Sequence, residues 1–441
     1  MKEWYVSMRI SAKDMDVRPL WLNPIPAKLS VRELYSELGE RKYRDGYVPL
    51  EPVIGKRDDL YNRIQEIMTV PFSEKGNLIV YGAAGSGLDM FFITLMYSLI
   101  YAYSASQVNV YALDFDAGFL KVFDKAPQVG DVVIADEEED VRNIISSISE
   151  EINRRSRLFS EYRGEYEEYC KHSGNTLPNI VLIINNYTVF TEKFDENIAS
   201  LLITIAREGV KRGVYVVIGT ASINTNFRLR QYIQQTYMLK MNDANDYIGV
   251  LGRTGGITPS DCAGSGIVKE DEITYKFQTA DIFDIVPAGE DDSDEIVNDS
   301  AKEIRELCAA INEKSPQMRA KSFRHTEISS EEILSDNVTC TKIPLGTRDD
   351  EVMYYDLSDK YITFVSSAVE KHLTNFAAYL AKVLSADKSV SVAVLDTSGK
   401  LKDEDAGYKC YSTVSEFDKW NKLYKKDAEY CKYPQKMKIH S

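Results

Sequence analysis

The amino-acid sequence predicts an α/β fold built on a mostly parallel sheet with helices on both faces. Helical patterns alternate with short apolar runs rich in β-branched residues, as β-α-β units require. The chain has 441 residues, of which 44% are hydrophobic, enough for two or three packed domains. The predicted strands are 77–81, 108–114, 179–187 and 214–220.

A glycine-rich turn follows the first predicted strand. Residues 77–89 read NLIVYGAAGSGLD, and Gly82 and Gly87 match the frame G-x-x-x-x-G-K-[ST] of a phosphate-binding loop. Leu88 occupies the position of the lysine that neutralises phosphate charge, and Asp89 that of the hydroxyl that holds Mg²⁺. The candidate loop comprises Gly82, Ala83, Ala84, Gly85, Ser86, Gly87, Leu88 and Asp89.

Helices are predicted on either side of the second strand. The apolar stretch 90–103 is expected to form the buried helix that follows such a loop. Residues 140–162 carry apolar side chains at helical spacing, with charged residues on the opposite face, so this segment should cover the sheet. A further helix is expected at 198–206, before the last predicted strand.

A second motif, at the end of a predicted strand, also departs from that of a hydrolysing nucleotide-binding site. In a hydrolysing nucleotide-binding fold, acids at the end of a buried strand hold Mg²⁺ and orient the attacking water. The strand NIVLIINNY, residues 179–187, instead ends in Asn185 and Asn186. An amide keeps the size of a carboxylate but has no charge for Mg²⁺ and no basicity for water. Either motif alone is also compatible with an ordinary glycine turn or core strand.

Together, the two motifs predict a RecA-like P-loop NTPase fold with a vestigial nucleotide site. About 100 residues separate them, as in RecA-type cores. We expect no catalytic residue, no metal ligand, and either no cofactor or weakly bound ATP. The space left by phosphate is expected to be flanked by Tyr81, Leu88, Phe91 and Tyr187, as a docking crevice or as ordinary core.

The composition restricts the partners of the chain. The formal net charge of −15 disfavours a sequence-independent grip on nucleic acid, which depends on lysine and arginine. The six cysteines are dispersed without zinc-ligand spacing, so a reduced setting without structural metal is expected. No signal-peptide pattern opens the sequence, and its longest apolar stretch is too short to cross a bilayer. Proteins are therefore the expected partners.

Three short echoes predict that the fold is duplicated. IGKRDD at 54–59 returns as LGTRDD at 345–350. The first strand and its loop return as KYITFVSSAVEKHLTNF at 360–376, and VYALDFDAG at 110–118 returns as VAVLDTSG at 392–399. Because the three echoes keep their order, they favour repetition over chance.

The echoes and the acidic run at residues 286–300 define the expected domains. Residues 1–290 should form the first module, 291–339 a linker with a connecting helix, and 340–441 a second, truncated module. In the second copy, Ser366 and Lys371 replace the two loop glycines, so its nucleotide site should be further degraded. Lys371 and Thr374 are out of register with a lysine-hydroxyl pair and are interpreted as surface or helix-start residues.

The chain resembles the FtsK/SpoIIIE family and, within it, the tandem P-loop modules of type VII secretion ATPases of the EssC/EccC type. Over residues 1–285, and more faintly over 340–430, motifs occur in the family order. Besides the loop and the strand ending in Asn185, they are VRPLWLNPIP (17–26), IGKRDD (54–59), AP-x-VG (126–130), RRSRLF (154–159) and GVKRGVYVVIGT (209–220).

The resemblance implies a function in protein secretion. It implies the last modules of the cytoplasmic portion of a cell-membrane motor that secretes small helical WXG100-type proteins, beside other ATPase modules and within a homo-oligomer such as a hexamer. The leading hypothesis is a pseudo-ATPase for substrate recognition and regulation, docking a helical partner through apolar surface residues. The alternatives are a nucleotide-binding or weakly active ATPase and, disfavoured by the negative charge, a DNA translocase.

Overall fold

The computed structural model describes residues 23–39, 47–59, 62–282, 300–314, 318–324, 342–348, 351–356, 365, 370–386, 392–396, 401 and 408–427. The chain divides into two compact units, Met1–His325 and Thr326–Ser441. Most of the segment 17–26 and the acidic run 286–299 lie outside the described residues. Within the ranges above, no helix is both long and apolar enough to cross a bilayer.

One mixed sheet organises the first unit. Its strands are β1 Val53–Asp59, β2 Ile64–Thr69, β3 Leu78–Tyr81, β4 Val108–Asp114, β5 Val129–Ile134, β6 Asn179–Asn185, β7 Val214–Thr220, β8 Gln235–Leu239, β9 Ser265–Glu270 and β10 Ile273–Thr279. They lie in the order β2-β1-β10-β9-β8-β3-β7-β6-β4-β5. The pairings from β8 to β5 are parallel, and those from β2 to β8 are antiparallel. The strands predicted from the sequence all lie in the parallel part.

Helices cover both faces of this sheet. They are α1 Val31–Glu37, α2 Phe72–Lys75, α3 Leu88–Ala102, α4 Glu138–Leu158, α5 Tyr166–His172, α6 Tyr187–Lys193, α7 Glu196–Glu208, α8 Phe227–Arg230, α9 Ala244–Leu251 and α10 Ser300–Lys314. Short 3-10 turns occur at Phe119–Phe123 and Val210–Arg212. The three helices predicted from the sequence correspond to α3, α4 and α7, each with shifted ends.

Alternation along the strands produces two apolar cores. In β3, Leu78 and Val80 belong to the cluster that packs against α3, whereas Ile79 and Tyr81 belong to the cluster on α4, α6 and α7. Successive side chains of a strand point to opposite faces, so one short apolar strand supplies both cores. The predicted arrangement, a sheet with helices on both faces, is therefore present.

The helix predicted at 140–162 is α4, which ends four residues early. The chain turns after Leu158, where the N–H groups of Tyr162 and Gly164 both donate to the carbonyl of Phe159, at 2.8 and 2.9 Å. Gly164 has a positive φ of 72°. The buried Phe159 ring packs against α5 and redirects the chain, so tertiary packing ends a helix that the charge pattern alone would extend.

Part of the expected linker belongs to the first unit. Helix α10 places Ile304, Cys308 and Ile311 in the same apolar core as α3. Residues 318–324 then lie beside β5, the last strand of the sheet. The segment that the sequence assigns to a connection thus contributes to the fold of the first module.

The described residues of the second unit form fewer helices and strands than those of the first. Its elements are β11 Lys342–Arg348, β12 Glu351–Asp356, α11 Glu370–Ala386, β13 Ala393–Leu395, β14 Lys409–Tyr411 and α12 Val414–Asp427. Strands β11 and β12 pair antiparallel, and β13 and β14 pair parallel. Since the ten-stranded sheet dominates and these two sheets have two strands each, duplication is not evident in the described architecture. Lys371 and Thr374 lie in α11, whereas Ser366 lies outside the described residues.

Candidate functional site

The candidate loop joins β3 to α3 in the middle of the sheet. Gly85 and Gly87 adopt positive φ angles of 74° and 89°, so the loop has the backbone turns that its glycines allow. A Cβ on Gly87 would lie 2.2 Å from the backbone nitrogen of Gly264, which donates a 2.8 Å hydrogen bond to the carbonyl of Ser86. The second glycine of the motif therefore permits close packing against the chain that enters β9.

Part of the loop backbone is already hydrogen-bonded within the protein. The N–H of Gly82 donates to Thr220, that of Ala83 to Lys240 and that of Ser86 to Ala83, at 2.9–3.1 Å. The N–H groups of Gly85 and Leu88 bond to no acceptor in the part of the chain that the structure describes. A small set of backbone donors thus remains that an anion could use.

The two altered residues of the motif take different positions. Leu88 is half-buried and packs against the apolar core on the α3 face, as a residue that fills space. Asp89 is exposed at the start of α3. Its negative charge, after burial and the charge of Asp114, helps to raise the pKa of Asp116. In the described residues none of these three carboxylates forms an ion pair, so no direct cationic partner neutralises them.

Asn185 is held by a buried hydrogen bond. Its Nδ2 donates to Oδ1 of Asp114 at 2.9 Å, and the backbone N–H of Leu120 donates to Oδ2 of the same carboxylate at 3.0 Å. Both Asn185 and Asp114 are buried. The amide that stands where a magnesium-binding acid is expected is therefore needed as a donor, because a carboxylate there would face Asp114 directly.

Asn186 has a conformational explanation. Its φ is 62° and it precedes the first residue of α6. Asparagine adopts this left-handed conformation more readily than most residues. Strand β6 consequently ends at Asn185, two residues before the end predicted from the sequence. The neighbouring amides, which the sequence presents as one motif, thus have two separate structural roles.

The apolar residues around the loop are mainly core. Tyr81, Phe91 and Tyr187 are at most 4% exposed, and Leu88 is half-buried. The Tyr81 hydroxyl lies 3.2 Å from Oγ1 of Thr225. Of the two interpretations of this set, the structure supports core packing for Tyr81, Phe91 and Tyr187, because their surfaces are already used within the fold. For the half-buried Leu88 a docking crevice stays a prediction.

The sequence did not identify Asp114, Asp116 and Gly264 as parts of the site. In the sequence Asp114 is only the last residue of the predicted strand 108–114, and its hydrogen bond with Asn185 spans 71 residues. Across the ranges that the structure describes, no group of three or more His, Cys, Asp or Glu side chains is arranged to hold a metal ion. The donor set present thus offers an anion some backbone N–H groups and no cationic side chain of the loop.

Comparison with known proteins places this geometry in a family. A profile of the FtsK/SpoIIIE family matches residues 33–256. The type VII secretion system protein EssC of Staphylococcus aureus strain MRSA252 is 25% identical over 374 residues, which are 82% of this chain and 24% of that protein. The ESX secretion system protein YukB of Bacillus subtilis strain 168 is 22% identical over 417 residues, 91% of this chain and 26% of that protein. The chain thus spans about a quarter of the length of these relatives.

Solved structures agree at the level of the fold. EssC (ATPases 2 and 3) from Geobacillus thermodenitrificans has a TM-score of 0.68 at 19% identity, covering 93% of this chain and 78% of the other. Thermomonospora curvata EccC (ATPases 2 and 3), in complex with a signal sequence peptide, has a TM-score of 0.64 at 18% identity, covering 95% and 78%. The chain belongs to the FtsK/SpoIIIE family, and within that family it is similar to type VII secretion proteins of the EssC/EccC type, in fold to their region of ATPases 2 and 3.

Proposed function

We propose that the first unit is a pseudo-ATPase module that serves substrate recognition and regulation in a type VII secretion motor. The observation that carries this proposal is the hydrogen bond of Asn185 to Asp114, because it uses the position of the magnesium-binding acid for internal structure. Leu88, in the lysine position, packs against the core. Phosphoryl transfer depends on neutralising charge and orienting water, and each lost group typically costs orders of magnitude in rate.

Steady-state ATP hydrolysis by the whole chain tests the absence of catalysis. We expect no Mg²⁺-dependent turnover above the background of a Gly87→Glu variant, whose side chain would occupy the loop. An ordinary rate of about 1 per second or more, abolished by Gly87→Glu, would falsify the pseudo-ATPase assignment. Circular dichroism of both proteins checks that the comparison is made between folded chains.

A second candidate function is nucleotide binding without efficient hydrolysis. The donors that favour it are the N–H groups of Gly85 and Leu88, at the start of the 15-residue helix α3. The carboxylates of Asp89, Asp114 and Asp116 oppose it by repelling phosphate. Calorimetric titration with ATP and Mg²⁺ separates the two: weak, saturable heat would support binding, and no heat at millimolar ATP would exclude it.

The partners are proposed from the related proteins. The solved EccC structure contains a signal sequence peptide, and we propose that this chain likewise acts on secreted helical proteins of the WXG100 type. We also propose that it is a cytoplasmic part of a longer membrane protein, working beside other ATPase modules in a homo-oligomer such as a hexamer. A DNA translocase is disfavoured by the net charge of −15.

Docking is proposed to use apolar side chains that the fold leaves exposed. Phe227 in α8 and Ile248 in α9 are 72% and 59% exposed, whereas the residues beside the loop are buried. Aspartate at either position should weaken capture of a purified, co-encoded WXG100-type protein without changing the melting temperature. If both variants capture that protein as well as the wild type does, these helices are not its docking surface.

We also propose that the second unit is a diverged copy of the first. The β1–β2 and β11–β12 hairpins each have a register shift at the same place in the echo, between Val53 and Gly55 and between Pro344 and Gly346. Leu120 N donates to Oδ2 of Asp114, and Leu401 N donates to Oδ2 of Asp396. These shared details support duplication; an experimental structure with a different strand order in the second unit would refute it.

A further inference from the structure

Residues 318–324, here called the strap, lie along the edge strand β5. The N–H of Ala320 donates to the carbonyl of Pro127 at 2.7 Å, and the hydroxyl of Tyr111 donates to the carbonyl of Lys321 at 2.7 Å. These bonds connect the strap to strands that are about 190 to 210 residues earlier in the sequence. The strap is thus a long-range addition to the edge of the sheet.

One buried carboxylate receives three of the polar contacts of the strap. Asp131 accepts hydrogen bonds from Oγ of Ser322 at 2.6 Å and from the N–H of Phe323 at 2.7 Å. The guanidinium of Arg324 lies 3.5 Å from the same carboxylate and 3.7 Å from Glu137. Among the described residues, every hydrogen-bond and ion-pair partner of the Asp131 carboxylate belongs to the strap. A buried carboxylate without donors is unfavourable, so Asp131 and the strap depend on each other.

The edge of the sheet is also shaped for the strap. The ring of Phe323 stacks on that of Tyr111 with centroids 4.8 Å apart and planes at 15°. A Cβ at Gly130 would lie 2.3 Å from the Tyr111 ring and 2.8 Å from the carbonyl oxygen of Lys321. Any other residue at position 130 would therefore displace the strap or the ring on which it stacks.

The opposite side of the strap is open to solvent. Met318 is 56% exposed, and Lys321 is also exposed. Among the strap residues only Phe323 packs against an apolar core, whereas α10 places three side chains in one. A segment held on one side can separate without opening the hydrophobic core, because few apolar contacts are lost.

We propose that the strap is a releasable clasp on the edge of the sheet, which separates from β5 while α10 keeps its place in the core. The proposal is independent of whether the first unit binds nucleotide.

Limited trypsin digestion of the whole chain tests this clasp. Trypsin cleaves after Arg319, Lys321 and Arg324, all within the strap, and the fragments identify each site. Phe323→Ala removes the stacking ring, and Asp131→Asn replaces an acceptor of two donors with an amide. We expect either change to accelerate strap cleavage about ten-fold or more, with the melting temperature of the first unit retained. Met318→Ala, in the same segment but exposed, should cleave at the wild-type rate.

Two outcomes of the digestion would overturn the clasp. One is wild-type strap cleavage as fast as that of a free peptide of residues 316–327, and the other is equal cleavage in all variants.

Discussion

Asn185 and Asp114, at the ends of neighbouring parallel strands, share a buried hydrogen bond of 2.9 Å from Nδ2 to Oδ1. The amide donates where an acid could only accept. The amide at position 185 is therefore linked to the carboxylate of Asp114, which the protein keeps at the end of β4. The two side chains together form a stable, buried pair.

Reintroducing the acid should destabilise the protein. Asn185→Asp places two carboxylates together in a buried site, and we expect the free energy of unfolding at pH 7 to fall by about 2–3 kcal/mol. The repulsion raises the folded-state pKa of one carboxyl. A raised folded pKa contributes stability below the unfolded value and loses it as pH rises, so the deficit should shrink from pH 7 to pH 4.5.

Urea denaturation at the two pH values measures this effect. Asn186→Asp is the matched control, because Asn186 is half-buried and aspartate also tolerates its backbone conformation. A variant Asn185→Asp as stable at pH 7 as the wild type would contradict the role assigned to the amide.

Restoring the lysine and the hydroxyl of the loop should strengthen ATP binding without restoring ATP hydrolysis. Leu88→Lys with Asp89→Thr adds a cation and removes a carboxylate, and we expect ATP affinity to increase by about ten-fold or more. Hydrolysis should remain at background, since no acid orients water. Calorimetry and phosphate release measure the two quantities on one preparation. Measurable turnover in this double variant would show that Asn185 and Asn186 are not the limiting positions.

The two loop glycines with positive φ should differ in how well they tolerate replacement by alanine. Gly87→Ala adds a Cβ 2.2 Å from the nitrogen of Gly264, in addition to backbone strain at φ 89°. We expect a loss of about 3 kcal/mol or more. Gly85→Ala, at φ 74° with no atom within 4 Å, should cost about 1 kcal/mol. Thermal unfolding compares them, and equal losses would show that contact with Gly264 is unimportant.

Arg155 should be a structural residue despite its charge. It is 1% exposed, donates to the carbonyls of Arg212 and Pro178 at 2.9 and 2.8 Å, and pairs with Glu151 at 2.7 Å. We expect Arg155→Met to lower the free energy of unfolding by about 3–5 kcal/mol, because two carbonyls lose a buried donor and Glu151 loses one of its two arginine partners.

The neighbouring Arg154 provides the control for Arg155. It pairs with the same Glu151 at 2.6 Å, but its side chain is 55% exposed. Arg154→Met should change stability by less than about 1 kcal/mol. Denaturation of both variants with guanidinium chloride separates the effect of burial on stability from the effect of charge. Similar losses of stability would mean that the backbone contacts of Arg155 contribute little.

The parallel part of the sheet could be predicted from the sequence because its signals are local. Strands β4 and β7 begin and end where the apolar runs at 108–114 and 214–220 do. A parallel strand buried on both faces is a continuous apolar run, and a glycine turn before an apolar helix is readable within a few residues. The departures from the nucleotide-binding motifs could also be identified from the sequence, because they depend only on residue type: Leu88, Asp89, Asn185 and Asn186.

The antiparallel part of the sheet could not be predicted in the same way. Strand β1 reads VIGKRDD, and Arg57 within it pairs with Glu270, 213 residues later. The β9–β10 turn uses Asp271 and Glu272 at φ 47° and 65°, without the glycine or asparagine that marks such turns. Pairing partners this distant in sequence leave no local pattern, so the tertiary structure alone assigns these strands.

The sequence by itself thus determined the fold class, the position of the altered loop and the residues that its chemistry lacks. Only the tertiary structure decided what replaced them: Leu88 packs against the core, Asn185 donates to Asp114, and Gly87 allows contact with Gly264. The physical reason is that residue identity shows which reactions a side chain can support. Which neighbour a side chain meets depends on contacts made across the sheet between residues far apart in the chain.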